Sequence, residues 1–353
     1  MSTTLETART TPTAPPLGHR LRRVFLGRDA AIVVLLIVLY LYGYTQVPYF
    51  AGNLTIYLLL LDVFPILLIA LPMTLVIITG EIDLSVASTL GLSSVTVGVL
   101  YQAHWSIPAA ALVALLVGLA CGALNGFLIT VVGLPSLAVT VGTLALYRGL
   151  AVGLLGTTAV TGFPAGWTGF VAARLGGADS PLPLVILLFV VLAIVFVVVL
   201  HYTPVGRAIY AIGLNDEAAI FSGVDAARVK FVLYLATGVI SALAGIFWTL
   251  HFNSARGDNA LGYELSVIAA VLVGGVSIFG GRGALPGVVA AVLVLGALRA
   301  LLRLAGVTDD VINVATGALL IVSVLIPRLL AGLRALRARS AAKARQRPTS
   351  AAP

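Results

Sequence analysis

Long apolar runs separated by short polar stretches dominate the chain. Ten of these runs are close to the roughly 20 residues that cross a bilayer as an α-helix. The run at 264–279 is the shortest and is marginal for a full crossing, so we expect a re-entrant or broken element there. The pattern predicts an all-α fold, a polytopic helical membrane bundle of about 10 transmembrane helices. The ten runs are 30–47, 54–79, 84–103, 107–130, 135–157, 182–201, 230–251, 264–279, 284–304 and 310–327.

Composition supports this prediction. Only 10% of the 353 residues are charged, 60% are hydrophobic, and the mean hydropathy is +1.11. Soluble domains carry about 25% charged residues, so a water-facing surface cannot be built from this chain. The single cysteine, Cys121, lies within an apolar run. An internal disulfide is therefore excluded, and a thiolate metal site is not expected.

Basic residues are distributed unevenly over the two sides of the predicted bundle. With the N-terminus inside, sixteen of them fall in cytoplasmic segments and four in outer segments, while Arg148 lies within a span. This bias predicts that both termini are cytoplasmic. We therefore expect a disordered cytoplasmic arm over residues 1–28, a transmembrane domain over 29–330 and a basic cytoplasmic tail over 331–353. The tail is expected to contact anionic membrane lipid rather than nucleic acid.

The inner loop 202–229 is the most polar stretch between the termini. Asn215 is a typical N-cap residue, and Asp216 and Glu217 follow it in a first turn, where the helix dipole favours acids. Gly223 suits a C-cap. The pattern predicts a helix of about two turns along the cytoplasmic face, too short to be stable alone. Two interpretations remain open at this point: a docking element for a partner, or a simple connector between spans.

Ionisable residues embedded in apolar runs are costly unless they line water or meet a partner. Asp83 could cap the helix that begins near Leu84, line a pathway, or do both. Asp62 lies three residues before Pro65, where it could line a pathway or stay protonated inside the bundle. The candidates for a pathway or for a helix-packing polar network are Asp62, Asp83, Asn125, Arg148 and Glu264.

Glycine spacing predicts where helices approach closely. A G-x-x-x-G-x-x-x-G ridge lies in the run 107–130, the same spacing recurs at Gly149 and Gly153, and the segment F-G-G-R-G-A-L-P-G at 279–287 makes a tight inner turn. The glycines expected to serve helix packing are Gly118, Gly122, Gly126, Gly280, Gly281 and Gly283.

The chain offers little for catalysis. Its four histidines are scattered with no pair at i, i+4 spacing, so no metal site is predicted. Its two lysines, Lys230 and Lys343, do not follow a glycine, so the Walker A pattern is absent. We expect no enzymatic activity and no cofactor bound by this chain. If nucleotide energy is used, ATP and Mg²⁺ belong to a partner.

Four segments, in this order, resemble a known family. They are T-G-E-I-D-L-S-V-A-S at 79–88, the stretch 125–151 that begins N-G-F-L-I-T, the loop segment 205–224 that contains G-L-N-D-E-A-A, and the stretch 262–287 that begins G-Y-E-L-S. The chain resembles, from about 53 to 330, the inner-membrane permease subunits of bacterial ABC importers for monosaccharides. That group includes permeases for ribose, xylose, arabinose, galactose, rhamnose and autoinducer 2. Glu81 departs from the pattern, since many relatives have a glycine there.

The resemblance implies a multi-pass subunit of the bacterial inner membrane that translocates a monosaccharide by alternating access. It also implies three protein partners: ABC ATPase subunits, a second permease copy or a paralogue, and an extracytoplasmic sugar-binding protein. Similarity over 251–330 favours a rhamnose-type or autoinducer-2-type member. The segment 213–223 is similar to the family's coupling helix, which enters a groove on the ATPase. The residues expected to carry this coupling are Gly213, Asn215, Asp216, Glu217, Ala218, Ala219, Ser222 and Gly223.

Two other function classes fit part of the pattern. An ATP-independent secondary transporter or channel for a small polar solute matches the hydropathy, but it should carry coupling-ion carboxylates or repeat-related broken helices. A multi-span membrane enzyme would need a cluster of acid–base or metal-ligating residues, which the sequence lacks. Loss of transport when an ATPase partner is removed separates the importer from the first alternative.

Overall fold

The computed structural model describes residues 28–308 and, beyond them, residues 310–315, 317–318, 321 and 325. The described chain is mostly α-helical and has only two short strands, which confirms the predicted all-α fold class. The predicted arm, apart from Arg28, and the predicted tail over 331–353 lie outside the described residues.

Helices account for nearly all secondary-structure elements of the described residues, and two short strands complete the set. In chain order they are α1 (Arg28–Gln46), α2 (Asn53–Ile78), α3 (Val86–Gln102), α4 (Ile107–Thr130), α5 (Ser136–Leu155), β1 (Val160–Thr161), α6 (Ala165–Val171), α7 (Ile186–Tyr202), α8 (Pro204–Leu214), α9 (Asp216–Phe221), α10 (Ala226–His251), β2 (Ser254–Ala255), α11 (Tyr263–Val273) and α12 (Leu285–Leu304).

Nine of the ten predicted apolar runs contain one of these helices, and the tenth is only partly described, with residues 310–315 helical. Five described helices, α2, α4, α5, α10 and α12, are long and apolar enough to cross a membrane. A sixth crossing results if α7 and α8, which meet at an angle of 67°, count as one broken span. The described helices therefore do not establish the count of ten.

Helix α11 explains part of this difference. It has 11 residues, which at 1.5 Å per residue gives about 16 Å, roughly half of the hydrocarbon core. Gly274 and Gly275 follow it, and the chain then reaches the start of α12 through a non-helical segment. The short run 264–279 is therefore a short helix followed by irregular backbone, as its length suggested.

Helix α2 forms the centre of the bundle. Every residue from Val63 to Ile78 is buried, and the helix packs against α7, α10, α11 and α12. A helix that is apolar on all sides lies either in a protein core or in a membrane span, and the burial of this stretch places α2 in the core of the bundle. Helices α4, α5 and α7 instead expose leucine and valine side chains on their outer faces, as expected for surfaces that meet lipid or another membrane subunit.

The glycine ridge of α4 lies against α10. A Cβ atom at Gly118 would meet the carbonyl oxygen of Gly238, and one at Gly122 would meet that of Tyr234. The two backbones are close enough that neither position has room for a side chain. By contrast, a Cβ atom at Gly149 or Gly153 would have nothing within 4 Å in the described chain. The recurring spacing on α5 therefore makes no helix contact within the described residues.

Candidate functional site

Helix α9 lies in the inner loop, where the sequence predicts a short capped helix. The Asn215 side chain accepts a hydrogen bond from the backbone N–H of Ala218 at 2.9 Å, and the Ser222 hydroxyl donates to the Ala218 carbonyl at 2.8 Å. Asp216 and Glu217 occupy the first turn. Gly223 follows the helix with φ of +86°, a left-handed conformation that favours glycine at a helix end. The predicted helix is therefore present.

Apolar side chains project from α9 and its neighbourhood. Phe221 is 90% exposed, Ile220 is 55% exposed and Leu214 is 69% exposed, whereas Ala219 is buried against the rest of the chain. Phe279, in the turn before α12, is 66% exposed. Isolated apolar residues at a surface are ordinary, but a group of large ones around a short helix indicates a contact with another protein or with the membrane.

Gly213 joins the inner loop to the core. A Cβ atom at this position would meet the Ile78 carbonyl oxygen and the Gly281 backbone nitrogen. The Gly281 N–H donates to that same carbonyl at 2.8 Å, and the Tyr210 hydroxyl donates to the Gly283 carbonyl at 2.7 Å. The end of α8 therefore packs directly on the end of α2 and on the turn before α12.

Gly280 and Gly281 make this close approach possible. Their φ angles are +80° and +72°, values that residues with side chains rarely adopt. Cβ atoms at Gly280 and Gly281 would also approach Gly213 and Leu214. The glycines predicted to serve packing in this turn therefore lie at the contact between the inner loop and the core.

Lys230 forms ion pairs with two carboxylates from different parts of the fold. Its ammonium nitrogen lies 2.8 Å from Glu81 Oε1 and 2.8 Å from Asp216 Oδ2. The side chains of Lys230 and Glu81 are largely buried, with 13% and 18% exposed, and that of Asp216 is 46% exposed. The cluster ties the first turn of α9 to α10 and to the segment between α2 and α3.

Asp83 is fully buried two residues further along the same segment. Its Oδ1 accepts hydrogen bonds from the Ser85 N–H at 2.9 Å and the Ser85 hydroxyl at 2.7 Å, and its Oδ2 accepts from the Thr237 hydroxyl at 2.9 Å. The Asn125 amide donates to Ser85 Oγ at 2.8 Å. Asp83 thus orders the turn before α3 and links it to α10, while Asn125 adds α4 to the same network.

Arg148 holds the outer segment 252–262 against the bundle. Its Nη1 donates to the carbonyl oxygens of Gly257 at 2.8 Å and Asn259 at 2.7 Å, and its Nη2 donates to that of Ala87 at 3.3 Å. These acceptors are all backbone carbonyls, while Glu264 contributes negative charge from nearby. Arg148 therefore acts as a clamp between α5, α3 and the outer segment.

The outer segment is also fixed by its own polar side chains. The Asn259 amide donates to Ser94 Oγ at 2.9 Å, and Arg256 pairs with Asp258 through two contacts of 2.8 Å. The hydrogen bonds and charge of Arg256 hold the pKa of Asp258 below its usual range. Strand β2 pairs with β1 at Ala255 and Val160, so two outer connections meet here.

The five polar candidates do not form one cluster. Asp83 and Asn125 share a network, Arg148 lies near Glu264 at the outer segment, and Asp62 pairs with Arg303 at 3.0 Å on another face. Among the described residues no group of three histidines, cysteines or acids could hold a metal ion.

Several residues of these contacts are missed by sequence reasoning. In the sequence Lys230 stands out only as a basic residue, and Thr237 and Arg299 do not stand out as members of a site. The scarcity of charge is an available signal, since each buried cation in so apolar a chain requires an acceptor. It cannot identify which acceptor, because the acceptor lies far away in sequence: the Asn259 carbonyl is 111 residues from Arg148.

Comparisons with known proteins identify the family of the chain. The family model described as branched-chain amino acid transport system / permease component matches residues 55–324. The autoinducer 2 import system permease protein LsrD of Escherichia coli O157:H7 is 40% identical over 263 residues, 73% of this chain and 78% of the relative. The proteins of the same name from Escherichia coli strain K12 and Shigella flexneri are 39% identical over the same shares. No solved structure matches the chain.

Proposed function

Because the chain belongs to the family of branched-chain amino acid transport system permease components, and is a multi-pass membrane permease of the ABC import type, we propose that it translocates a monosaccharide or a closely related hydroxylated solute. Translocation proceeds by alternating access across the bacterial inner membrane and is driven by ATP hydrolysis on partner subunits. The relatives are named for the import of autoinducer 2, which makes a solute of that kind the first candidate.

Three kinds of partner follow from this function. Family membership implies ATPase subunits at the cytoplasmic face and a substrate-binding protein at the outer face. A second permease, either a copy of this chain or a paralogue, completes the pathway. ATP and Mg²⁺ are bound by the ATPase, and this chain contributes no catalytic group. Most of the solute specificity belongs to the binding protein, since a neutral sugar needs few charges along its path.

The observation that carries the proposal is the exposed apolar tip of α9. Phe221 is 90% exposed on a helix of six residues, which is too short to be stable without support. A large aromatic side chain in this position suits a pocket on a partner, where it would dominate the binding energy. We assign α9 as the coupling helix, with the exposed acid Glu217 on its first turn.

The contacts between α9 and the core support a route by which a movement of α9 reaches the transmembrane helices. Asp216 is tied to Glu81 through Lys230, and Gly213 packs on the end of α2. A displacement of α9 by the ATPase would therefore be passed to the segment between α2 and α3. That segment carries Asp83, whose hydrogen bonds reach α10. A bistable arrangement of these helices would then open the pathway alternately to the two sides.

Replacement of Phe221 by serine tests this assignment. The side chain is exposed in the isolated chain, so we expect Phe221→Ser to insert and fold normally. Loss of an aromatic anchor typically costs about 2 kcal/mol or more of binding energy, about a thirtyfold change in affinity. The measurement is co-purification of the ATPase subunit with the detergent-solubilised permease.

The matched control is Tyr49→Ser, since Tyr49 is 85% exposed in the connection between α1 and α2, on the predicted outer side. ATPase binding should be unchanged in this variant. Equal ATPase recovery with Phe221→Ser and the unaltered chain would refute the coupling assignment.

A further inference from the structure

A cavity of about 290 Å³ lies between α2, α11 and α12. Most of its wall is apolar and includes Leu59, Val63 and Leu295, but Asp62, Ser266 and Arg299 also line it. Its volume is near the lower end of small-molecule pockets, which span roughly 300–1,000 Å³. This size suits a solute with one sugar ring rather than an oligosaccharide.

The charged residues of two apolar helices converge on this cavity. Asp62 is the only charged residue of α2, Arg299 and Arg303 are the only ones of α12, and all three line the cavity. Asp62 lies nine residues into α2 and Arg299 five residues before the end of α12. At 1.5 Å per residue these positions are about 14 Å and 8 Å from the predicted outer ends of the helices.

Their exposure indicates water rather than lipid. The side chains of Asp62 and Arg303 form a 3.0 Å ion pair but remain 43% and 53% exposed. Arg303 lies one residue before the end of α12, but Asp62 lies deeper, where an ionisable group is expensive against hydrocarbon and almost always faces a water-filled cavity or the interior of a bundle. The comparable surfaces of α4 and α7 expose leucine and valine instead.

Arg299 still has hydrogen-bonding capacity. Its Nη2 donates to Ser266 Oγ at 2.9 Å, while its Nε is buried without a partner among the described residues. A buried donor without an acceptor is costly. An acceptor that enters the cavity would relieve this cost if the guanidinium turns so that Nε faces the solute.

We propose that this cavity is a solute subsite, in which Asp62, Arg299 and Ser266 contact a small polyhydroxylated solute during its passage. The Asp62 carboxylate accepts hydrogen bonds from hydroxyl groups, and the Arg299 guanidinium donates to hydroxyl or ring oxygens. A solute with adjacent hydroxyls satisfies both the carboxylate and the guanidinium. A purely anionic headgroup would be repelled by the Asp62 carboxylate. This inference rests on the proposed function and adds to it the place of contact within the chain.

Cysteine labelling tests whether the cavity holds water. The background is the full-length chain with Cys121→Ala, which removes the single native cysteine. Because Leu58 lines the cavity, Leu58→Cys places a thiol there. Leu112→Cys is the matched control, because Leu58 and Leu112 lie five residues into their helices and are 47% and 60% exposed. A membrane-impermeant thiol reagent added outside should label Leu58→Cys and leave Leu112→Cys unlabelled. Equal reaction of the two, or no reaction of Leu58→Cys, would overturn the proposal.

Transport kinetics test the contact itself. The assembled importer, with its ATPase and binding protein, is reconstituted in vesicles, and uptake is followed for whichever radiolabelled probe it imports: autoinducer 2, L-rhamnose or D-ribose. Arg299→Gln should raise the KM for uptake by about tenfold, the effect of one lost hydrogen bond to a charged group, and Ser266→Ala by about fivefold, the effect of one lost neutral hydrogen bond. ATPase activity stimulated by the loaded binding protein should stay within about twofold.

Arg256→Gln serves as the control, because Arg256 lies in the outer segment with its side chain 51% exposed, and it does not line the cavity. An unchanged KM in both cavity variants would overturn the subsite. Reduced retention of phosphatidylglycerol by Arg299→Gln would also overturn it, since the cavity would then hold a lipid headgroup. Uptake that persists without the ATPase would contradict the proposed function, while the labelling pattern would still decide whether the cavity faces water.

Discussion

Lys230 connects the cytoplasmic helix α9 to the core through single side chains. It contacts Asp216 in α9 and Glu81 between α2 and α3, each at 2.8 Å. Glu81, which the family resemblance marks as a departure from the glycine of many relatives, is held by an ion pair in this structure. It adds a charged contact to the junction that the proposed mechanism uses.

Removal of the Lys230 charge should destabilise the chain. Lys230→Met leaves Glu81 largely buried without its cation, and we expect a loss of about 1–3 kcal/mol, between the values of exposed and buried pairs. Glu81→Gln in the same chain should recover part of this loss, because the uncompensated charge is then absent. Unfolding of the detergent-solubilised chain measures both variants.

Arg256→Gln is the control for this comparison. Arg256 pairs with Asp258 at the same distance of 2.8 Å, but both side chains of this pair are more than half exposed. Solvent screening should leave its effect small. An equal loss of stability in Lys230→Met and Arg256→Gln would contradict the expected contribution of the buried Lys230 cluster to stability.

Some individual residues can be recognised from the sequence and others cannot. Asp83 is predicted to cap the helix that begins near Leu84, to line a pathway, or to do both. In the structure the helix begins at Val86 with Ser85 as its N-cap residue, and Asp83 accepts two hydrogen bonds from Ser85. Its third bond, from Thr237, depends on the packing of α10 and has no local signal. From the sequence Arg299 and Arg303 count only as outer basic residues, whereas both lie within α12 and line the cavity.

At the scale of elements, the contact between α4 and α10 depends on the absence of side chains. Gly118 and Gly122 allow the two backbones to touch. In a membrane, where lipid is as apolar as a leucine side chain, such close packing supplies much of the association energy between helices. The ridge can be predicted from its spacing, but its partner cannot, since spacing alone does not identify the opposing helix.

Alanine at Gly122 should separate the two helices. The new methyl group would meet the Tyr234 carbonyl oxygen, so we expect a destabilisation of about 1–3 kcal/mol from overpacking. Gly149→Ala is the matched control, because α5 offers open space at that position and alanine favours the helix by up to about 1 kcal/mol. Thermal unfolding in detergent compares them, and a Gly122→Ala chain as stable as the original would contradict the contact.

Element boundaries are predicted best where the sequence carries capping chemistry. Asn215 and Gly223 identify α9, and the structure has the helix between them. The run 264–279 gives only a length, so the end of α11 at Val273 cannot be predicted from hydropathy. The bend of 67° between α7 and α8 also cannot be predicted from hydropathy, although Pro204 permits a new helix to begin there.

At the scale of the whole molecule, the scarcity of charge determines the architecture. A chain with 10% charged residues must place its helices in a bilayer, and in the part of the chain that the structure describes several of the charges lie at contacts between elements. One cluster joins α9 to the core, another fixes the outer segment, and a third lines the cavity beside α2.

The requirement for a partner ATPase is the central claim, and uptake in reconstituted vesicles tests it most directly. Vesicles that contain the permease assembly, the ATPase and internal ATP should accumulate radiolabelled autoinducer 2, L-rhamnose or D-ribose when the loaded binding protein is added outside. Omission of the ATPase, or replacement of ATP by a non-hydrolysable analogue, should reduce uptake to the level of empty vesicles. Uptake that continues at the original rate without the ATPase would contradict the account and identify a secondary transporter or channel.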